Sequence, residues 1–242
     1  MRPQWFLLIC FLLISAASAP LRAQSDYAAK ASEGKLHFTF IGNESFAITD
    51  GEITLMTDYP YVPGVGGFMW YDVEATRPRG YTICLVTHAH TDHYRFSAYI
   101  RRSWAMVAPE VITVSLVGYD VTTASDGELL DVEGIHILPI TTPHQDVDHF
   151  SYLVTWHGVR MYFTGDTDAE SYLLEARDLD IAFVTPWLLM SIQQQGGKID
   201  AKQVIVYHHK VHEDVVEFAG RVLPAQGDSF EIDFREPDAT SQ

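Results

Sequence analysis

The chain contains few cysteines, and neither is expected to form a disulfide bond. Only two of its 242 residues are cysteine, Cys10 and Cys84. Cys10 lies in an N-terminal segment that we expect to be removed, and a single remaining cysteine cannot form an internal disulfide bond. Cys84 lies in the apolar stretch 82–86, which predicts a buried strand. We therefore interpret it as a small buried hydrophobic residue rather than a nucleophile.

Basic residues are also scarce relative to acidic ones. The sequence has 16 Lys and Arg against 32 Asp and Glu, and the formal net charge is -16. A surface of this charge repels nucleic acid and anionic membranes, so we expect neither as a main partner. The acidic residues are scattered, which is typical of a solvated surface. The charge itself does not identify a partner, and we expect the protein to act on a small-molecule substrate.

Long apolar runs are confined to residues 5–14, which follow Arg2 and precede small residues at 15–19. This is the layout of a secretory signal peptide, and the run is too short to span a bilayer comfortably. Cleavage after Ala19 would make Pro20 the first mature residue, which peptidases disfavour. We therefore expect residues 1–23 to be removed by cleavage after Ala23. The mature protein would be periplasmic or secreted and would have no stable membrane anchor. An uncleaved anchor is the alternative.

The rest of the chain predicts a flexible lead-in at residues 24–35 and a single domain at 36–242. Strand patterns at 36–40, 45–48, 53–56 and 81–86 precede a predicted helix at 95–103. Later strands are predicted at 135–140, 151–156, 159–163, 181–184, 204–207 and 230–234, and helices at 168–177, 199–203 and 213–222. This order, strands followed by helices twice over, predicts an α+β fold with two sheets packed face to face and helices outside.

The segment directly after the strand at 81–86 carries four potential metal ligands. They are His88, His90, Asp92 and His93. Residues two apart on an extended chain point the same way, so His88 and His90 can converge on one ion. If the chain then turns, Asp92 and His93 can reach a second point nearby. Because imidazole and carboxylate groups hold zinc and related divalent metals, the motif predicts a metal site.

This motif resembles the signature of the metallo-β-lactamase superfamily. Other motifs of that family have counterparts here in the same order: Asp58 at a strand end, His144 after a strand and two prolines, Asp166 in Gly-Asp-Thr, and His208 at a last strand end. The resemblance spans about residues 36–210 and implies a four-layer αβ/βα sandwich. Within the superfamily, the chain is most similar to the branch of ascorbate-6-phosphate lactonase and N-acylphosphatidylethanolamine phospholipase D.

The resemblance further implies a catalytic centre of two divalent ions, first of all zinc, with manganese or iron as alternatives. One ion would be bound by His88, His90 and His144, the other by Asp92, His93 and His208, and Asp166 would bridge them. Asp58 would fix a ligand imidazole by a hydrogen bond. A hydroxide shared by the ions would cleave an ester, lactone, amide or phosphodiester, with Asp92 as the catalytic residue that orients it. His149 is a rival to His144, and His209 to His208.

Two departures and one loop concern specificity. Asn43 stands where the branch usually has a histidine, and Asp166 stands where many true metallo-β-lactamases have cysteine, which favours a general hydrolase. The segment 59–80 is rich in glycine, proline and aromatic residues and predicts a long loop. The resemblance implies that this loop borders the site, and a cap over the sheet edge is the alternative. We expect Phe68 and Trp70 from this loop, with Trp187 opposite, to line a substrate pocket. The alternative function is a catalytically inactive metal-binding or sensor protein of the same fold.

Overall fold

A computed structural model describes residues 33–65, 78, 80–209 and 224–235. The predicted signal peptide, most of the lead-in, the helix at 213–222, and Phe68 and Trp70 lie outside these residues. The strands are β1 (Lys35–Gly42), β2 (Ser45–Thr49), β3 (Ile53–Thr57), β4 (Tyr81–Leu85), β5 (Ala105–Ala108), β6 (Val121–Thr123), β7 (Leu130–Val132), β8 (Ile135–Thr141), β9 (Phe150–Trp156), β10 (Val159–Phe163), β11 (Leu179–Val184), β12 (Ala201–Val206) and β13 (Ser229–Asp233). The helices are α1 (Phe96–Tyr99), α2 (Glu110–Thr113), α3 (Glu170–Glu175) and α4 (Pro186–Gln194).

The described strands form two mixed sheets. The first has the order β13-β1-β2-β3-β4-β5-β6, and the second has the order β12-β11-β10-β9-β8-β7. In the first sheet, β3, β4, β5 and β6 run parallel, and in the second, β10, β11 and β12 do so. Parallel neighbours end at the same edge of a sheet, so the loops after β3 and β4, and those after β10, β11 and β12, emerge together.

Aromatic side chains join the two sheets in the core. The ring of Phe183 from β11 stacks on Phe163 from β10, with centroids 4.5 Å apart, and meets Phe46 from β2 at 4.8 Å. Phe38 from β1 lies 6.4 Å from the same ring. All of these side chains are buried. Removing this much aromatic surface from water is a main source of stability for the face-to-face packing.

The second sheet is covered on its outer face as well. Every residue of β11 is buried, as expected for a parallel strand with both faces covered. The outer cluster joins strand residues to helices α3 and α4 through Leu173, Leu188, Leu189 and Ile192. This arrangement confirms the predicted α+β sandwich.

Three helix predictions differ from the structure. The predicted helix at 199–203 is wrong, because Ala201 and Gln203 begin β12 and pair with Leu179 and Ile181 of β11. The predicted helices at 95–103 and 168–177 are shorter than expected, and α3 begins at Glu170 without a side-chain cap. Helix α4 was not predicted, although proline in its first turn is a known start signal. Among the described residues, no helix has the length and apolar character needed to cross a membrane.

Candidate metal site

The turn after β4 brings the first two predicted ligands together. The backbone N–H groups of His93 and Tyr94 donate to the carbonyl of His90 at 3.0 and 2.9 Å, which closes a tight turn. Nε2 of His88 lies 3.0 Å from Nδ1 of His90. The two nitrogens therefore converge, as the alternation of the motif predicts.

His144 joins this pair from the loop after β8. Its ring centroid lies 4.8 Å from that of His88 and 5.3 Å from that of His90. The three side chains offer ligand atoms that all lie within 4.8 Å of one another. They form a first possible metal group.

A second group forms beside the first. Asp92, His93 and His208 also offer ligand atoms within 4.8 Å of one another. Oδ2 of Asp92 lies 3.7 Å from Nε2 of His93 and 3.7 Å from Nε2 of His208. His208 comes from the end of β12, so this group combines a residue of the second sheet with the turn of the first.

Asp166 lies between the two groups, in the loop after β10. Its Oδ2 is 3.4 Å from Nε2 of His93 and 3.8 Å from Nε2 of His144. Its Oδ1 is 3.4 Å from Nε2 of His208. One carboxylate therefore faces ligands of both groups, which is the geometry that a bridging ligand needs.

The donor atoms fit a metal ion in their hydrogen-bonding as well. Nε2 of His93, Nε2 of His144 and Oδ1 of Asp166 are buried and have no hydrogen-bond partner within the described part of the chain. Buried polar atoms normally have partners, so such a cluster needs an explanation. Imidazole nitrogen and carboxylate oxygen are ligands of zinc, manganese and iron. Metal coordination would satisfy all three atoms.

The charges of these groups are strongly coupled. Burial alone would lower the pKa of His208, but the carboxylate of Asp166 raises that pKa to about 9. Burial likewise opposes the charge of His93, yet Asp166 and Asp58 raise its pKa well above the ordinary value. In return, these imidazoles hold the pKa of Asp166 well below its ordinary value despite burial. A bound metal ion would take the place of these protons.

Asp58 lies behind His93 and fixes its ring. Oδ1 of Asp58 accepts a hydrogen bond of 2.7 Å from the backbone N–H of Thr87, and Oδ2 accepts one of 2.9 Å from the hydroxyl of Thr87. The same Oδ2 lies 3.1 Å from Nδ1 of His93. With Nδ1 donating to Asp58, Nε2 of His93 has its lone pair directed at the possible metal position.

His149 has a different place from its rival His144. Its Nε2 accepts a hydrogen bond of 2.9 Å from the backbone N–H of Asp166, and its Nδ1 lies 2.8 Å from the hydroxyl of Thr142. Because Nε2 accepts, Nδ1 carries the proton and donates to Thr142. Burial lowers the pKa of His149 to about 4. His149 therefore supports the segment that carries Asp166, with no ring nitrogen left for a metal.

Sequence reasoning did not single out Glu44. Its side chain is fully buried, and Oε2 lies 3.5 Å from Nδ1 of His93. Burial, and then the charge of Asp166, raises the pKa of Glu44 well above its ordinary value. The stretch Gly42-Asn43-Glu44 looks like an ordinary turn in the sequence. Only its position between strands that are otherwise buried hints that this acid is also buried.

Asn43 connects the two parts of the second group. Its side-chain amide donates a hydrogen bond of 2.8 Å to the carbonyl oxygen of Asp92. The backbone carbonyl oxygen of Asn43 accepts a hydrogen bond of 2.7 Å from the backbone N–H of His208. The residue that departs from the resembled branch thus contacts two candidate ligands.

A cavity of about 450 Å³ opens over both groups. Trp187 lines it, and the ring of Trp187 meets that of His208 edge-on, with centroids 5.0 Å apart. The cavity is lined by His90, Asp92, His144, Gln145, Asp166, Asp168, Trp187 and His208. A substrate in this cavity would contact the candidate ligands directly.

Comparison with known proteins identifies the family and the fold of the chain but does not identify a substrate. The family model described as beta-lactamase superfamily domain matches residues 37–216. No curated protein matches the chain significantly.

Solved structures resemble the chain over most of its length. Igni18, a metallo hydrolase from Ignicoccus hospitalis, has a TM-score of 0.66 at 16% identity, with 83% of this chain and 100% of that chain covered. A protein from Parabacteroides distasonis, described as a candidate metal-dependent hydrolase, has a TM-score of 0.59 at 20% identity, with 79% and 92% covered. Zinc-bound PqqB from Methylobacterium extorquens has a TM-score of 0.56 at 12% identity, with 77% and 86% covered. At these identities the likeness shows the fold alone.

Proposed function

Because the chain belongs to the beta-lactamase superfamily, we propose that it is a hydrolase that uses two divalent metal ions to cleave an ester, lactone, amide or phosphodiester bond. The observation that carries the proposal is the convergence of the two ligand groups on Asp166, where Nε2 of His93, Nε2 of His144 and Oδ1 of Asp166 are buried without a hydrogen-bond partner among the described residues. Every member of that ligand set is present in the sequence. A relative that had lost turnover would be expected to lack at least one of them.

The residues divide into two sets around the bridging carboxylate. One ion would be held by His88, His90 and His144, and the other by Asp92, His93 and His208. Asp166 would bind both ions. Such a pair of ions supplies a nucleophile at neutral pH and a Lewis acid for the developing negative charge. We propose zinc as the ion. The nitrogen-rich ligand set and zinc in the structurally similar PqqB support this choice.

The other residues act by position. Asp58 keeps the Nδ1 proton of His93 in place, so that the ring presents Nε2 to the metal position. His149 holds the backbone N–H of Asp166 and so fixes the bridging carboxylate. Asp92 has its carboxylate at the cavity and next to His208. From there it can orient the attacking water and pass a proton to the leaving group.

Export is part of the same proposal. The charged start, apolar run and small residues of 1–23 support removal of a signal peptide with Gln24 as the first mature residue. A fusion of residues 1–25 to a reporter should leave the cytoplasm, and the exported protein should begin at or near Gln24. A full-length protein retained in the membrane fraction would favour an uncleaved anchor instead.

The hydrolase proposal is tested with purified protein 24–242. Metal content is measured beside turnover of a panel of lactones, esters, amides and phosphodiesters. We expect about two zinc ions per chain, metal-dependent turnover of at least one class, and loss of both in His90→Ala. His136→Ala is the control, since His136 is a half-exposed residue of β8 that pairs with Asp131 on the surface. Full metal content without turnover of any class would favour the inactive binding protein.

A further inference from the structure

The cavity over the metal site has a charge pattern that its ligands do not explain. Apart from the candidate ligands, the described residues that line it are Gln145, Asp168 and Trp187. No lysine or arginine from the described ranges lines it. The two divalent ions proposed above would themselves attract an anionic scissile group, so the side chains at the rim bear on charge carried elsewhere in the substrate. Here the rim offers an acid, an amide and an indole.

Asp168 is free to act on a substrate. It is exposed, and within the described ranges its carboxylate has no ion pair or hydrogen bond. Its backbone is nevertheless held in place by Thr167, whose hydroxyl donates to the carbonyl of Pro143 at 2.8 Å and accepts from the N–H of Ala169 at 3.1 Å. These hydrogen bonds hold the backbone on both sides of Asp168, and the side chain of Asp168 lines the cavity.

Trp187 supplies a second feature that favours a cation. It lies in the first turn of α4, where Pro186 fixes the start of the helix. Its side chain is 36% exposed and contacts His208 edge-on. An indole ring that is partly open to a cavity attracts ammonium groups through its electron-rich face.

Resting on the proposed hydrolase function, we propose that this cavity selects substrates with a positively charged amine or quaternary ammonium group near the scissile bond. Asp168 is the counter-charge of that group, and Trp187 is the aromatic surface against which it packs. The formal net charge of -16 acts in the same direction, since it draws cations toward the protein and repels anions. Substrates with a carboxylate or phosphate at the same position are disfavoured.

The test uses three esters that share one acyl group and one alcohol frame. The frame ends in trimethylammonium, in its uncharged tert-butyl isostere, or in a carboxylate. With the zinc-loaded protein we expect KM for the ammonium ester to be about tenfold below that for the isostere, and KM for the carboxylate ester to be higher than both. Asp168→Asn should remove most of the first difference, and KM should rise more for the ammonium ester than for the isostere. Trp187→Leu should weaken ammonium binding while it keeps an apolar wall.

A matched control separates the local carboxylate from the overall charge. Glu128→Gln removes the same single charge from an exposed position that does not line the cavity, and the preference should persist. The corresponding ethers, which cannot be cleaved, are titrated calorimetrically into the same proteins. If no ester is cleaved but the ammonium ether binds through Asp168, the selectivity stands and the hydrolase proposal is in question. Equal binding of the ammonium and carboxylate ethers, or a preference that survives Asp168→Asn, would overturn the selectivity.

Discussion

Gly165 packs directly against the ring of His149. The glycine has a positive φ of 57°, and a Cβ atom built on it would collide with Nε2 of His149 and lie 3.1 Å from Cβ of Thr87. The same Nε2 accepts the hydrogen bond from the backbone N–H of Asp166. A side chain at position 165 would therefore compete with the contact that fixes the central carboxylate.

Gly165→Ala should consequently reduce metal binding more than an ordinary strained glycine does. Either the ring of His149 or the segment of Asp166 must move, and we expect a loss of about 1–3 kcal/mol in stability together with weaker metal retention. Gly134→Ala is the matched control, because Gly134 also has a positive φ, of 79°, but no atom of the described residues lies within 4 Å of its Cβ position. The midpoint of thermal unfolding and the metal content are measured for both variants and compared with the wild type. Equal losses in the two variants would mean that backbone strain alone is responsible.

The neutral state of His149 should make stability depend on pH. Burial lowers the pKa of His149 to about 4 in the folded protein, against about 6.5 in an unfolded chain. Between these values the unfolded chain binds more protons than the folded protein. The contribution of neutral His149 to the free energy of unfolding is therefore complete above about pH 6.5 and is lost as the pH falls toward 4. Its full size is about 3 kcal/mol. The free energy of unfolding of metal-free protein, measured in urea from pH 4 to 7.5, should fall more steeply for the wild type than for His149→Gln. Parallel curves would contradict the prediction.

Asn43 should control the second metal group without binding metal itself. Asn43→Gly removes the amide that donates to the carbonyl of Asp92, while glycine tolerates the positive φ of 55° at this position. We expect affinity for the ion held by Asp92 and His208 to fall about tenfold or more, as for other groups that orient ligands. Stepwise removal by a chelator should show one ion lost early and the other retained. Two ions held as tightly as in the wild type would exclude this role.

The sequence predicts the turn of His88, His90, Asp92 and His93 well because that turn is local. Its ligands follow one apolar strand, and the spacing alone brings His88 and His90 to one side. Most strands were predictable for the same reason, since alternation and apolar runs depend on neighbours along the chain, but β5 and β6 were not predicted as strands. The family resemblance added the distant residues Asp58, His144, Asp166 and His208 in chain order.

What escaped prediction depends on contacts between distant segments. Asn43 meets Asp92 across 49 positions of sequence, and Glu44 is buried beside His93 only because β2 packs next to the turn after β4. The strand β12 begins with polar residues that look helical, and pairing with β11 makes them a strand instead. The sequence favoured His144 over His149 as a ligand, but the role of His149 in holding the backbone of Asp166 depends on tertiary contacts that the sequence does not show.

Phe183 should be among the most sensitive core positions. Its ring stacks on Phe163 of its own sheet and packs against Phe46 of the other sheet. Phe183→Ala removes this packing, and we expect the free energy of unfolding to fall by about 3–5 kcal/mol. Phe96→Ala is the control, because Phe96 is 44% exposed, and its loss should cost less than about 1 kcal/mol. Urea unfolding of both variants measures the difference, and similar losses would contradict the role of Phe183 in sheet packing.

Asp166→Asn tests whether one carboxylate serves both metal groups. Its two oxygens face His93 and His144 on one side and His208 on the other, and its charge would offset the repulsion between two cations. Asparagine keeps the shape and removes the charge, so the variant should fold, hold at most about one tightly bound ion and lose nearly all hydrolysis. The loss should persist at high substrate concentration, because the missing interaction acts on the transition state. Asp168→Asn is the control for metal content, since it removes a carboxylate from the same segment that faces the cavity but belongs to neither group. An Asp166→Asn protein that retains two ions and full turnover would exclude the bridging role.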